Sequence, residues 1–133
     1  MDYISDMIAR LKNNINKKFA DVIILNSKIC LNILYILYRL GYINGFSILN
    51  CKYIKVYLKY SNTGISSIRK LKRISTQGNR VYCNKKYLKL NKNILHNLNS
   101  NSGTFILTTD KGIITTNEML LYNCGGEILL YIT

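Results

Sequence analysis

An α/β (α+β) fold in two small domains is predicted by three features of the sequence. Apolar residues recur every three to four positions in two stretches between Ile4 and Gly41, alternating and short apolar runs dominate after that, and 48% of the 133 residues are hydrophobic. That fraction supplies a packed core, which excludes a disordered basic tail. Ile4, Met7, Ile8, Leu11 and Ile15 mark one face of a first helix, with Arg10, Lys12, Asn13, Asn14 and Lys17 around the rest. Asp21–Leu25 reads as a short buried strand. Asn26 or Ser27 then offers an N-cap oxygen to a second helix that ends near Gly41 and is apolar enough on most sides to lie in the core. Asn44-Gly45 is a turn signal. Beyond it, Lys52, Ile54, Val56, Leu58 and Tyr60 alternate with Tyr53, Lys55, Tyr57 and Lys59 as in a strand.

Ser61-Asn62-Thr63-Gly64 is the polar, Gly-containing run nearest the middle of the chain. It divides the sequence into an N-terminal helix–strand–helix–hairpin domain, residues 1–63, and a mostly β domain with one short helix, residues 64–133. The second half opens on the basic run Ile68–Ile74, turns at Gln77-Gly78-Asn79 and continues as a short strand at Arg80–Tyr82. Residues 84–101, rich in Asn and Lys, read as extended chain and then a short helical turn. Thr104–Thr109 is strand-like and Asp110-Lys111-Gly112 turns. Thr115-x-x-Glu118 has the form of a capping box for a helix through Tyr122, stopped by Gly125-Gly126, and Glu127–Ile132 is a closing strand.

The residues do not assemble an enzyme. One histidine, His96, four cysteines without a Cys-x-x-Cys pair (Cys30, Cys51, Cys83, Cys124) and six separated acids supply neither a proton-transfer constellation nor a metal centre, and no cofactor motif is present. Reduced thiols are the ordinary reading. The longest apolar stretch, Ile29–Ile43, is interrupted by Asn32 and Arg39 and falls short of the ~18–20 residues that cross a bilayer. The start, Met-Asp-Tyr-Ile-Ser-Asp, reads as one without a targeting leader.

A formal charge of +13 points instead to a polyanion. Lys17-Lys18, Arg69-Lys70, Lys72-Arg73, Lys85-Lys86, Lys89 and Lys92 form basic clusters, and Tyr82 and Tyr87 stand beside them as stacking platforms. Any one run is ordinarily a solvated face. Their sum on a small chain is less ordinary, and RNA, DNA and anionic membrane all remain open on charge alone. Thr108-Thr109 before a Lys-Gly turn adds hydroxyls and a close backbone approach suited to a base or a ribose, although such a hairpin end also satisfies its own backbone.

Thr108-Thr-Asp-Lys-Gly-Ile-Ile-Thr-Thr116, followed by Gly125-Gly-Glu-Ile-Leu-Leu-Tyr-Ile132, resembles the C-terminal signature of the small-subunit ribosomal protein eight family, the universal "S-eight" proteins. Asp2-x-Ile-Ser-Asp-Met-Ile-Ala-Arg-Leu-Lys-Asn13 is similar to that family's first helix, Asn26-Ser-Lys28 to its strand-to-helix turn, and Leu71–Ser75 through Gly78 to Arg80–Tyr82 to its middle strands. The chain departs from the family pattern at Tyr3, Asn26 and Gln77, where proline is usual. It departs again at Asp110, where a hydroxyl is usual; a carboxylate there accepts from a base amino group or pairs with Lys111.

The resemblance implies the same two-domain fold and a non-catalytic constituent of the small ribosomal subunit. Its partners would be the central domain of the small-subunit ribosomal RNA and neighbouring small-subunit proteins, with no membrane and no small-molecule substrate. It also implies an RNA-binding set: Thr108, Thr109, Asp110, Lys111 and Gly112 with Glu127 as the main specific contact, Tyr82 beside them, and Arg10, Lys12, Asn13, Ser27 and Lys28 as backbone contacts from the first domain. Ile, Asn, Lys and Tyr, all with AT-rich codons, make up nearly half of the chain and proline is absent. Together with Leu71–Ser75 and Gly125–Leu129, which look closest to plastid members of the family, this suggests an organellar ribosome, of a plastid or apicoplast first and a mitochondrion second. The alternative from another class is a basic module that binds anionic membrane or a protein partner.

Overall fold

The structure is a computed structural model and describes residues 2–84 and 103–133. It divides the chain into two compact units, residues 1–69 and 70–133. Ser61–Gly64 is a turn inside the first unit: the Ser61 N–H bonds to the Ile65 carbonyl, the Ser67 N–H bonds to the Lys59 carbonyl, and Ile68 is buried, so the chain changes unit only after Arg69.

In the first unit, helix α1 (Tyr3–Asn16) starts at Asp2, whose carboxylate accepts from the Ser5 N–H and hydroxyl, and buries Ile4, Met7, Ile8 and Leu11. Strand β1 (Asp21–Leu25) leads to α2 (Lys28–Arg39), then β2 (Ile43–Ile48) and β3 (Tyr53–Leu58). The sheet is antiparallel in the order β1-β3-β2, with Val22, Ile24, Ile54, Val56 and Leu58 facing the helices. Ser27, rather than Asn26, caps α2 by accepting from the Cys30 N–H at 3.2 Å.

Two expectations are corrected here. Helix α2 buries one face only, Cys30, Ile33, Leu34, Ile36 and Leu37, and exposes Tyr35 and Tyr38, whose hydroxyls suit them to water. Asn44-Gly45 is no hairpin turn but a register shift inside β2, where the Asn44 amide donates to the Leu58 carbonyl. The β2–β3 connection is built instead by Asn50, whose side-chain oxygen accepts from the Lys52 and Tyr53 N–H groups.

The second unit contains β4 (Leu71–Arg73), β5 (Tyr82–Cys83), β6 (Thr104–Thr109), β7 (Gly112–Thr115), α3 (Thr116–Tyr122) and β8 (Gly126–Ile132). Its sheet runs β4-β8-β6-β7, and β5 pairs with β8 farther along the edge that β4 occupies. Strand β8 is the spine, buried from Ile128 to Ile132. Phe105 and Tyr131 are cross-strand partners with ring centroids 4.9 Å apart, and Leu107, Ile114, Met119 and Cys83 complete the cluster. Thr115 caps α3 by accepting from the Glu118 N–H, as the capping-box pattern predicts. The helix is stopped by Asn123 in the left-handed region at φ 53°, not by Gly125-Gly126. The stretch 85–101, with Lys85, Lys86, Lys89, Lys92, Tyr87 and His96, lies outside the described residues.

Candidate nucleic-acid interface

Strand pairing brings the second unit's candidates to one end of its sheet. Thr108 on β6 and Tyr82 on β5 both pair with Glu127 on β8, from opposite sides, so the three share one row across the sheet and one face. The β6–β7 hairpin extends this end: Thr109 pairs with Gly112, and Asp110-Lys111 form the two-residue loop. Gly112 has φ +103°, a conformation that side chains resist. The Thr109 hydroxyl donates to the Gly112 carbonyl at 3.0 Å and accepts from the Lys111 N–H at 3.2 Å, closing the loop on itself. Among the described residues nothing engages the Thr108 hydroxyl, so of the two threonines it is the one with capacity left for a ligand. Asp110 is exposed. The Lys111 ammonium stands 5.0 Å from the Tyr122 ring centroid rather than against Asp110.

The Gly125-Gly126 pair belongs to this geometry. A Cβ on Gly126 would fall 2.1 Å from the Thr108 carbonyl oxygen, and one on Gly125 would fall 2.8 Å from the Cys83 carbonyl oxygen. The two glycines therefore let β8 pass closely between β5 and β6, which sets the Tyr82–Glu127–Thr108 row.

Glu127 has a partner set that the sequence did not reveal. Its carboxylate accepts from the buried Ser75 hydroxyl at 2.5 Å and from Arg80 at 3.0 Å, and the same Ser75 oxygen accepts from the Val81 N–H. Burial alone would raise its pKa, but the hydrogen bonds from Ser75 and Arg80 and the charges of Arg80 and Arg73 outweigh that and hold the carboxyl below the ordinary glutamate range. Glu127 thus ties Ser75 and Arg80, on either side of the Thr76–Asn79 turn, to β8. The polar Ser75 directly after Ile74 was the available signal for this network. Arg80 and Arg73, neutral to the folding argument, gain their role only from it.

In the first unit, Lys12, Asn13 and Lys28 are exposed. Arg10 is tied to the fold, to Asp6 at 3.0 Å and to the Ile23 carbonyl at 3.1 Å, which joins α1 to β1. Arg10 and Asn13, three apart, share a side of α1 while Lys12 lies off it. The Ser27 hydroxyl is occupied as the α2 cap. That leaves Lys28 at this turn and Lys12 on α1 as the exposed lysines of the expected set in this unit.

Comparison with known proteins extends these local agreements over the whole chain. Residues 2–133 match the family model described as Ribosomal protein S8. The chain is 42% identical to small ribosomal subunit protein uS8m of Acanthamoeba castellanii over 132 residues, covering 99% of each chain. It is 37% identical to uS8 of Rickettsia typhi, covering 96% of this chain and 94% of that one, and 34% identical to uS8c of Euglena gracilis, covering 99% and 97%. A family match across the sequence and relatives of equal length leave one assignment: the chain belongs to the ribosomal protein S8 family and is a structural constituent of the small ribosomal subunit.

Proposed function

We propose that this subunit protein binds the central domain of the small-subunit ribosomal RNA through the end of its second sheet, and that this contact supports subunit assembly. The observation that carries the reading is the row Tyr82–Glu127–Thr108 beside the Thr109–Gly112 hairpin, which presents an exposed aromatic ring, an unengaged hydroxyl and a glycine-opened backbone on one rigid edge. Hydroxyl and backbone contacts of this kind read RNA by shape and by the ribose 2′-hydroxyl. Glu127 acts as a positioning residue, and the Thr109 hydroxyl sets the loop. Lys12, Asn13 and Lys28 add backbone contacts from the first unit, and the +13 charge neutralises phosphate around both. The family is a structural one, and the chemistry asked of these residues is recognition rather than catalysis.

We place the protein in an organellar ribosome. The uS8m and uS8c relatives support that reading, and the higher identity to uS8m favours the mitochondrion ahead of the plastid, the reverse of the order suggested by the motifs. Purifying ribosomes from each organelle and probing for the chain decides between them.

The binding reading is tested with the matching central-domain fragment and a scrambled duplex of equal length at physiological salt. The expected outcome is nanomolar-range binding to the matched fragment against roughly 10⁻⁴–10⁻⁶ M for the duplex, a non-specific range taken from DNA. Equal affinity for both would leave a general polycation and overturn the proposal.

A further inference from the structure

A cavity of about 290 Å³ opens in the first unit between the start of α1 and the ends of β1 and β3, lined by Tyr3, Leu25, Asn26, Cys51, Lys52 and Tyr53. It is remote in sequence from the hairpin, yet Asn26 directly precedes Ser27 and Lys28, so it continues the strand-to-helix turn already given an RNA role. Its walls are built by local chemistry. The Asp2 cap makes Tyr3 the first residue of α1, and Leu25 and Tyr53 are cross-strand partners. The Asn26 N–H bonds to the Lys52 carbonyl at 2.8 Å, and the Asn50 side chain fixes the backbone that presents Lys52 and Tyr53.

The contents of the cavity are two large aromatic rings that the fold leaves out, Tyr3 at 40% and Tyr53 at 39% exposure, an amide and an exposed lysine. A tyrosine at such exposure offers its ring face for stacking. The Asn26 amide nitrogen donates to the Asn50 carbonyl, and among the described residues nothing engages its Oδ1, which leaves an acceptor on the wall. Lys52 supplies charge for a phosphate, whereas the Asp2 carboxylate next to Tyr3 is turned into the helix start by Ser5. The volume sits at the lower limit of small-ligand cavities, roughly 300–1,000 Å³, so one flat ring system fits and a stretch of polypeptide does not.

We propose that this cavity takes one unpaired nucleobase of RNA carrying an exocyclic amino group, stacked on Tyr3 and Tyr53, with its amino group donated to Asn26 Oδ1 and its phosphate beside Lys52. The proposal rests on RNA being the partner, as argued above, but adds a second recognition point independent of the hairpin. Charge favours RNA over a protein side chain: Lys52 beside the rings has a phosphate to meet in an RNA and none in an apolar protein plug.

The chain has no tryptophan, so Tyr53→Trp makes a single fluorescent reporter in the full-length protein. Titrated at about 0.15 M salt, an oligoadenylate hexamer should quench it saturably. An oligouridylate hexamer, which lacks the amino group, and a blunt RNA duplex should do so only at higher concentration. In that background Tyr3→Ala and Asn26→Ala each weaken the oligoadenylate response on the order of tenfold, the scale of losing one stacked base. Tyr3→Phe keeps it. An unchanged urea midpoint shows that each variant is folded, and Asn26→Ala serves should Tyr3→Ala disturb α1. No quenching, equal quenching by the duplex or by oligouridylate, or no effect of the alanine variants would overturn the assignment, the last pointing to a protein neighbour or to bulk charge. None of these results bears on discrimination of the matched fragment, so the hairpin reading fails or stands separately.

Discussion

At the scale of single residues, Glu127, Thr108 and Thr109 have different partners at the hairpin end. Glu127 is held in its charged form by Ser75 and Arg80, so it contributes stability above the ordinary glutamate pKa, and that contribution is lost as pH falls through its lower folded value. Glu127→Gln should therefore lower stability by about 1–3 kcal/mol near neutral pH. The gap from the parent should narrow once pH falls below the ordinary glutamate pKa of about 4.3 and should close through the lower folded value, where the folded parent also loses the charge. Urea midpoints of both proteins at the two pH values check this. The threonines separate by readout. Thr108→Ala should weaken matched RNA by about 1–3 kcal/mol on the scale of base contacts, with the urea midpoint unchanged. Thr109→Ala should cost about 1 kcal/mol of stability through its two loop hydrogen bonds, with its RNA effect following from a looser hairpin. The roles of the threonines were half legible in the sequence, where a Thr-Thr-x-Lys-Gly run permits both a ligand contact and a self-satisfied turn. The hydrogen bonds give the self-satisfied turn to Thr109, and the ligand contact proposed above falls to Thr108. The partner of Glu127 was not legible, because Ser75 lies 52 residues away and only strand pairing brings the two together.

At the scale of elements, periodicity identifies what is amphipathic and fails where a neighbour decides. Helix α1, the alternation along β3 and the capping box of α3 follow from local spacing, and each buries the face that the spacing marks. Asn44-Gly45 has the same local chemistry in a hairpin turn and in a bulged strand, so only the pairing of β2 with β3 settles which it forms. Gly125-Gly126 likewise looks like a helix stop until β5 is seen to crowd the place where a side chain would begin on Gly125, and β6 the same place on Gly126. Gly126→Ala should accordingly destabilise the second unit by about 3 kcal/mol, since the obstacle is backbone and cannot swing aside. Gly112→Ala, with nothing within 4 Å of the new Cβ, should cost only the positive-φ strain of about 1–2 kcal/mol. Amide exchange across β6 and β8 distinguishes the two, with broad loss of protection for Gly126→Ala and a local effect for Gly112→Ala. Equal behaviour would mean that the close strand approach is not what the glycine serves.

At the scale of the whole molecule, composition indicated the partner class and resemblance indicated the family. Charge alone could not choose between RNA and an anionic surface, since +13 serves both. Membership of a small-subunit ribosomal protein family points to RNA, and of the motif residues the sheet brings Thr108 to Gly112 and Glu127 to one end. The central claim is that discrimination of the matched fragment resides in this hairpin end while Lys28 of the first unit supplies charge. A salt titration of matched-fragment affinity for the parent, Thr108→Ala and Lys28→Ala tests it most directly. Thr108→Ala should shift the line of log affinity against log salt to weaker binding with its slope intact, and Lys28→Ala should reduce the slope by about one. If both variants changed the slope alone, the hairpin would be one more source of charge, and the assignment of specificity to it would be wrong.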